Sequence, residues 1–189
     1  MGKALIFKGA DFSANAIGQA PVPPTPVNWW YGLKSADMTP STNGGPIYYN
    51  QYTILKDQNG TWLQGKTIQK LRIWVKDRNQ ATVTLSIGYL PAGWSAQTDF
   101  VAVKTLSKSE LNMTLAVSTE AETERGKNDI DLNMTIPAGA LFGVQVTGCY
   151  IMVAAGGNNG VVKDDYKNIS SNGANYVGWT PGIDFAFVE

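Results

Sequence analysis

The chain has 189 residues, enough for one large β domain that buries a core without disulfide bonds or metal ions. It carries 15 basic and 15 acidic residues and no histidine, so neither nucleic-acid binding nor a histidine-dependent catalytic or metal site is expected. The single cysteine, Cys149, lies in an apolar run and is expected to be an unreactive buried thiol. No apolar stretch has the length of a membrane span or of a signal-peptide core, so no membrane insertion is expected.

Residues 1–46 are predicted to form an amino-terminal strand followed by an extended arm. The segment 18–26 is rich in proline, and residues 40–46 form a polar turn cluster. Between them stand three consecutive aromatic residues, Trp29, Trp30 and Tyr31, which a flexible linker rarely carries. We therefore predict an arm that packs on the domain or on a neighbouring subunit, and these three residues are the candidates for an assembly interface.

Residues 47–189 are predicted to form an antiparallel β-sandwich, because apolar and polar residues alternate through most of this region. Residues 71–76 and 81–89 alternate in this way on either side of a turn, which predicts a β-hairpin. Further strands are predicted at residues 130–136, 141–146, 149–153 and 185–187, with a turn at Pro137–Gly139.

Helix signals are weak. One turn with a serine cap is predicted at Ser107–Leu111. Residues 118–125 hold several charges but no apolar stripe, so a solvated loop is predicted there.

The sequence offers little support for catalysis. Neither a phosphate-binding loop nor a dinucleotide fingerprint occurs, which leaves a two-carboxylate glycosidase as the enzymatic option. Every glutamate falls in a turn, in a charged loop or at position 189, and the solvent face of a sheet explains Asp129 and Asp131 more simply. No catalytic residue, metal or cofactor is therefore expected.

Aromatic residues at polar positions are the candidates for ligand binding. Trp74 shares a strand face with Arg72 and Lys76, opposite the apolar face of the same strand. An indole there is either a platform for a sugar ring, with Arg72 beside it, or a contact for another layer of the protein. Trp94 and Trp179 lie in glycine-rich loops and are further glycan-binding candidates. The alternative is that these tryptophans fill the ends of the sandwich or lie in subunit contacts.

Three segments carry a family resemblance: residues 5–17 (LIFKGADFSANAI), 65–73 (GKTIQKLRI) and 128–139 (NDIDLNMTIPAG). They resemble β-sandwich modules of gut Bacteroidetes and their crAss-like or related phages, and residues 128–139 resemble the penultimate hairpin of those modules. The resemblance implies a concanavalin-like jelly roll that acts as a surface or carbohydrate-contacting module and is often fused to an SGNH-type esterase. An esterase part is absent here, and the aromatic arm has no counterpart in the resemblance.

The first functional hypothesis is therefore a non-enzymatic phage virion protein, such as a capsid decoration, head or tail fibre subunit. It would be made in the host cytoplasm and would form homo-oligomers with contacts to other virion proteins and to glycans. The alternative is an extracellular carbohydrate-binding module of a Bacteroidetes surface or secreted protein, with polysaccharide as its partner. A glycosidase is the third hypothesis.

Overall fold

The computed structural model describes residues 27–38, 52–56, 63–95, 97–116, 118–154, 167–169, 175–176 and 180–188. The strands in these ranges are β1 (Tyr52–Lys56), β2 (Thr67–Asp77), β3 (Thr84–Leu90), β4 (Val101–Ser107), β5 (Lys127–Thr135), β6 (Leu141–Thr147), β7 (Cys149–Ile151), β8 (Val153–Ala154), β9 (Lys167–Ile169), β10 (Asn175–Tyr176), β11 (Thr180–Pro181) and β12 (Ile183–Phe187). The helical elements are α1 (Glu120–Glu124) and the 3-10 turns Ser35–Asp37, Gln97–Asp99 and Lys108–Glu110.

The strands form two main antiparallel sheets, which confirms the all-β prediction. One sheet has the order β10-β9-β1-β6-β3-β4. The other has the order β12-β2-β5, with β7 pairing with the carboxyl-terminal end of β2. β8 and β11 form a separate two-stranded sheet. The predicted boundary between residues 46 and 47 lies outside the described residues.

The core lies between the two main sheets. Leu71, Ile73 and Val75 of β2 are fully buried, as their alternation predicted. Phe142 of β6 meets Phe185 of β12 edge to face, with ring centroids 5.2 Å apart, so the sheets contact each other through aromatic rings. Each large side chain buried in this layer contributes about 1.5–3 kcal/mol to the free energy of unfolding.

The predicted hairpin of residues 71–76 and 81–89 is wrong. β2 and β3 belong to different sheets, and so do β5 and β6. β2 cannot accept β3 as a neighbour because β5 occupies one of its edges while β12 and β7 share the other. The alternation identified the strands and their faces correctly, but a face does not identify a neighbouring strand.

The predicted turn at Pro137–Gly139 is confirmed. Gly139 adopts a φ of 75°, which favours glycine, and the N–H of Ala140 donates to the carbonyl of Pro137 at 3.1 Å. This turn carries the chain from β5 in one sheet to β6 in the other.

The helix predictions had mixed outcomes. The turn at Ser107–Leu111 is confirmed as a 3-10 turn, in which the carboxylate of Glu110 accepts hydrogen bonds from the N–H and hydroxyl of Ser107. The predicted loop at residues 118–125 is wrong, because it contains α1. Thr119 caps this helix by accepting the N–H of Glu122, whose carboxylate accepts the N–H of Thr119 in return.

Three backbone hydrogen bonds form a closed ring where β2, β7 and β12 meet. The N–H of Trp74 donates to Gly182 at 3.0 Å, Gly182 donates to Met152 at 2.7 Å, and Met152 donates back to Trp74 at 2.8 Å. A Cβ atom on Gly182 would lie 2.7 Å from Sδ of Met38 and 3.0 Å from the Met152 carbonyl oxygen. A side chain at this position would therefore displace Met38 and crowd the Met152 carbonyl.

Candidate functional site: the docked aromatic arm

Residues 27–38, called the docked arm below, lie against the outer side of the β12-β2-β5 sheet. The indole of Trp29 stacks on the guanidinium of Arg72, whose carbon lies 4.0 Å from the ring centroid. The backbone N–H of Trp30 donates to the carbonyl of Phe185 at 2.7 Å, on the edge strand β12. The arm thus adds a partial third layer to the two sheets.

The carboxylate of Asp184 fixes the backbone of the docked arm. One of its oxygens accepts the N–H of Tyr31 at 2.8 Å and that of Phe185 at 2.8 Å, and the other accepts the N–H of Leu33 at 2.9 Å. Asp184 is completely buried. Burial raises the pKa of this carboxyl, while the three N–H donors and the charge of Arg72 act in the opposite direction.

A second set of hydrogen bonds runs from Trp74 to α1. The indole N–H of Trp74 donates to the hydroxyl of Ser35 at 2.9 Å, and Ser35 donates to the carboxylate of Glu124. Lys127 forms an ion pair with the same carboxylate. Burial alone would raise the pKa of Glu124, but the hydrogen bonds from Lys127 and Ser35 outweigh it and lower the pKa. The docked arm is therefore bound by carboxylates from two elements, β12 and α1.

The prediction of Trp74 as an exposed sugar platform is wrong, and its alternative, a contact for another layer, is confirmed. Trp74 has 0% relative exposure and packs with Leu33 and Met38 of the docked arm and with Met152. The alternation placed its side chain on the face opposite the main core, as observed. The arm covers that face, however, and no periodicity within β2 could indicate this.

Arg72 is also engaged within the protein. Its Nε and Nη2 atoms donate to the two carboxylate oxygens of Asp129, each at 2.6 Å, and its guanidinium lies under Trp29. Asp131 forms an ion pair with Lys70 in the next row of the same strands. The two aspartates thus occupy the outer face of the sheet, as predicted, and both form ion pairs there.

Among the three predicted interface residues, Trp30 is the most accessible. Tyr31 is partly buried and packs against both neighbouring apolar clusters. Trp30 is 49% exposed; its ring meets Phe187 edge to face at 5.4 Å, and the ammonium of Lys66 lies 5.5 Å from both ring centroids. Val188, 56% exposed, follows Phe187. Trp30, Lys66, Phe187 and Val188 are called the Trp30 patch below.

One of the other two predicted glycan-binding residues, Trp94, lies away from this site. Trp94 is 36% exposed in the loop between β3 and β4, on the other sheet, where its N–H donates to Pro91 at 3.2 Å. Trp179 lies outside the described residues. Sequence reasoning missed Asp184, although a lone carboxylate within the apolar run 183–187 was a signal, because a buried carboxylate requires hydrogen-bond donors.

The arrangement suits surface contact. The Trp30 patch combines two aromatic rings, a valine and a lysine, and hydrogen bonds of the docked arm fix the backbone that carries its indole. In the ranges that the structure describes, no three His, Cys, Asp or Glu residues are grouped as metal ligands would be. None of the helices in those ranges has the length and apolar character needed to cross a bilayer. No family model, curated protein or solved structure matches the chain.

Proposed function

We propose that the chain is a non-enzymatic structural subunit that associates with copies of itself and with other proteins through the Trp30 patch. The observation that supports this proposal most directly is the half-exposed indole of Trp30, which lies on a segment fixed by buried hydrogen bonds. A tryptophan on a fixed backbone, with its ring against Phe187 and Lys66, loses little conformational entropy on association, and such residues dominate the binding energy of interfaces.

We further propose that this subunit belongs to a phage particle, as capsid decoration or as part of a head or tail fibre. The three resembling segments support that context. The jelly-roll connectivity is also a proposal, supported by the way β1, β2 and β3 alternate between the two sheets. Recovery of the chain among the proteins of purified particles would support this context, and its consistent absence from them would contradict it.

Light scattering behind size exclusion tests the association. The full-length chain should elute as a discrete oligomer, and Trp30→Ser should shift it to the mass of one chain. The substitution keeps the backbone N–H that bonds to Phe185. Trp94→Ser is the matched control, because it removes another exposed indole from a different sheet and should leave the mass unchanged.

A monomeric wild-type chain at all concentrations, or an unchanged oligomer in the Trp30→Ser variant, would contradict the association. The carbohydrate-binding alternative loses its main platform because Trp74 is buried. A monomer retained on a polysaccharide, with retention lost in Trp94→Ser, would restore that alternative.

A further inference from the structure

We propose that in the assembled state the docked arm of one copy occupies the binding surface of a second copy, so that subunits are joined by arm exchange. This rests on the proposed assembly function and names its partner, a second copy of this chain. The binding surface for the arm, called the receptor below, consists of Asp184 and the Phe185 carbonyl on β12, Trp74 on β2, Glu124 on α1, and Met152.

The contact between arm and receptor is that of two complementary surfaces. The arm presents successive backbone N–H donors at Trp30, Tyr31 and Leu33, and the receptor presents three acceptors, the Phe185 carbonyl and the two oxygens of Asp184. The hydroxyl of Ser35 joins Trp74 to Glu124. None of these bonds depends on which copy supplies the arm, so the same contacts form within one chain or between two.

An empty receptor is costly. Without an arm, Asp184 would lose the N–H donors of Tyr31 and Leu33 and keep the one from Phe185. Trp74 would lose the cover of Leu33 and Met38. A copy whose arm lies elsewhere therefore gains free energy by binding the arm of a neighbour, and this makes exchange between copies reciprocal.

The connecting segment is long enough. Residues 39–51, thirteen in number, join the docked arm to β1, which lies in the other main sheet. Thirteen residues span at most about 45 Å. A compact domain of this length has a radius of gyration of about 16 Å. The segment can therefore reach a receptor on an adjacent copy.

Two full-length variants test exchange by complementation. The Leu33→Asp variant has an arm that cannot bind and an intact receptor. The Asp184→Ala variant has an intact arm and a receptor that cannot bind it. Both also carry Trp30→Ser, which removes association through the Trp30 patch. A chain with Trp30→Ser alone keeps an intact arm and an intact receptor, which pair within that chain, so exchange is expected only where one chain lacks an arm and the other lacks a receptor. Each alone should have the mass of one chain. Their mixture, with different affinity tags, should yield a co-purifying species of about twice that mass, and a mixture of two Leu33→Asp preparations should not.

A synthetic peptide of residues 27–38 gives an independent measurement. It should bind the Leu33→Asp variant saturably, whereas a peptide with Leu33→Asp should bind at least about tenfold more weakly, the factor equal to 1.4 kcal/mol. Far-ultraviolet circular dichroism must show that both variants are folded.

Folded variants that stay separate on mixing would overturn exchange, even if the peptide binds, because the receptor would then accept only the arm of its own chain. Failure of exchange together with a wild-type oligomer that Trp30→Ser dissociates would leave the proposed function in place. A third outcome is that the two variants exchange arms but the wild-type chain shows no association that depends on Trp30. That result would contradict the Trp30 patch as the association surface and would support arm exchange.

Discussion

Asp184 is the residue on which the docked arm depends most. Its carboxylate satisfies two N–H groups of the arm and one of its own strand, and it stands in a strand that is otherwise apolar. Such a group is stabilising only while all of its bonds are made, because a buried donor without an acceptor costs about 1–3 kcal/mol.

Asp184→Asn should lower the free energy of unfolding by about 1–3 kcal/mol. The amide oxygen can still accept two N–H groups, but the amide nitrogen would face the N–H of Leu33, where neither group can accept. Urea unfolding measures the change. The control is Asp129→Asn, which breaks a partly exposed ion pair with Arg72 and should cost about 1 kcal/mol or less. Equal effects of the two substitutions would contradict the role given to Asp184.

The pH dependence of the wild-type stability, relative to Asp184→Asn, has a definite sign. Burial raises the pKa of the Asp184 carboxyl above its ordinary value of 3.8, so the folded state binds this proton more tightly than the unfolded state does. The wild-type advantage should therefore decrease as the pH rises from below 3.8 through the raised folded value, and then level off. An advantage that increases over this range would contradict the sign.

Burial of individual side chains was predicted correctly where it follows from the alternation within a single strand. Leu71, Ile73 and Val75 face the core as predicted, and Cys149 is buried. The prediction failed for Trp74, because the residues that cover its indole are 36 or more positions away in the chain. Burial created by a distant segment leaves no periodic signal in the strand that is covered.

Among the elements, β4 shows how an exposed sheet edge is protected. Val101 and Val103 are 40% and 47% exposed on this edge strand. Lys104 pairs in register with the buried Ile87, and its ammonium donates to the carbonyl of Asp131 at 2.8 Å. An inward-facing charge of this kind opposes edge-to-edge pairing between copies.

Lys104→Val should allow copies of the chain to associate through the exposed edge of β4. We expect heavier, polydisperse species in light scattering, while the free energy of unfolding changes by about 1 kcal/mol or less. Lys104→Arg retains an inward charge and should behave as the wild type. A monodisperse Lys104→Val variant at high protein concentration would show that the lysine does not prevent association through this edge.

Element-level prediction identified strands better than their partners. The strands β2, β5, β6 and β12 follow directly from alternation or apolar runs. The hairpin of β2 and β3 was wrong because a short turn suggested local pairing, whereas this turn passes between sheets. α1 was missed for lack of an apolar stripe, although Thr119 and Glu122 form a capping box that the sequence displays.

At the scale of the whole molecule, the sole cysteine reports on global unfolding. Cys149 lies in β7, which pairs with β2, and it is fully buried. Burial, together with the charge of Asp77, raises the pKa of its thiol to about 12. The thiolate needed for reaction is therefore scarce in the folded protein at neutral pH.

A thiol-specific reagent at pH 8 should label folded Cys149 at least three orders of magnitude more slowly than the unfolded chain, since domains of this kind are stable by roughly 5 kcal/mol or more. The labelling rate should rise with urea along the slope of global unfolding. Fast labelling without denaturant, with little dependence on urea, would show instead that β7 opens locally.

The hydrogen bond between Asp184 and Tyr31 joins positions 153 residues apart. At a synthesis rate of about 5–20 residues per second, the arm leaves the ribosome roughly 8–30 s before the strand that binds it. Docking is therefore a late event in the life of a nascent chain. Under the proposed arm exchange, the arm would be available throughout that interval to a completed copy made from the same messenger RNA, and the order of translation would then set how often two chains become linked.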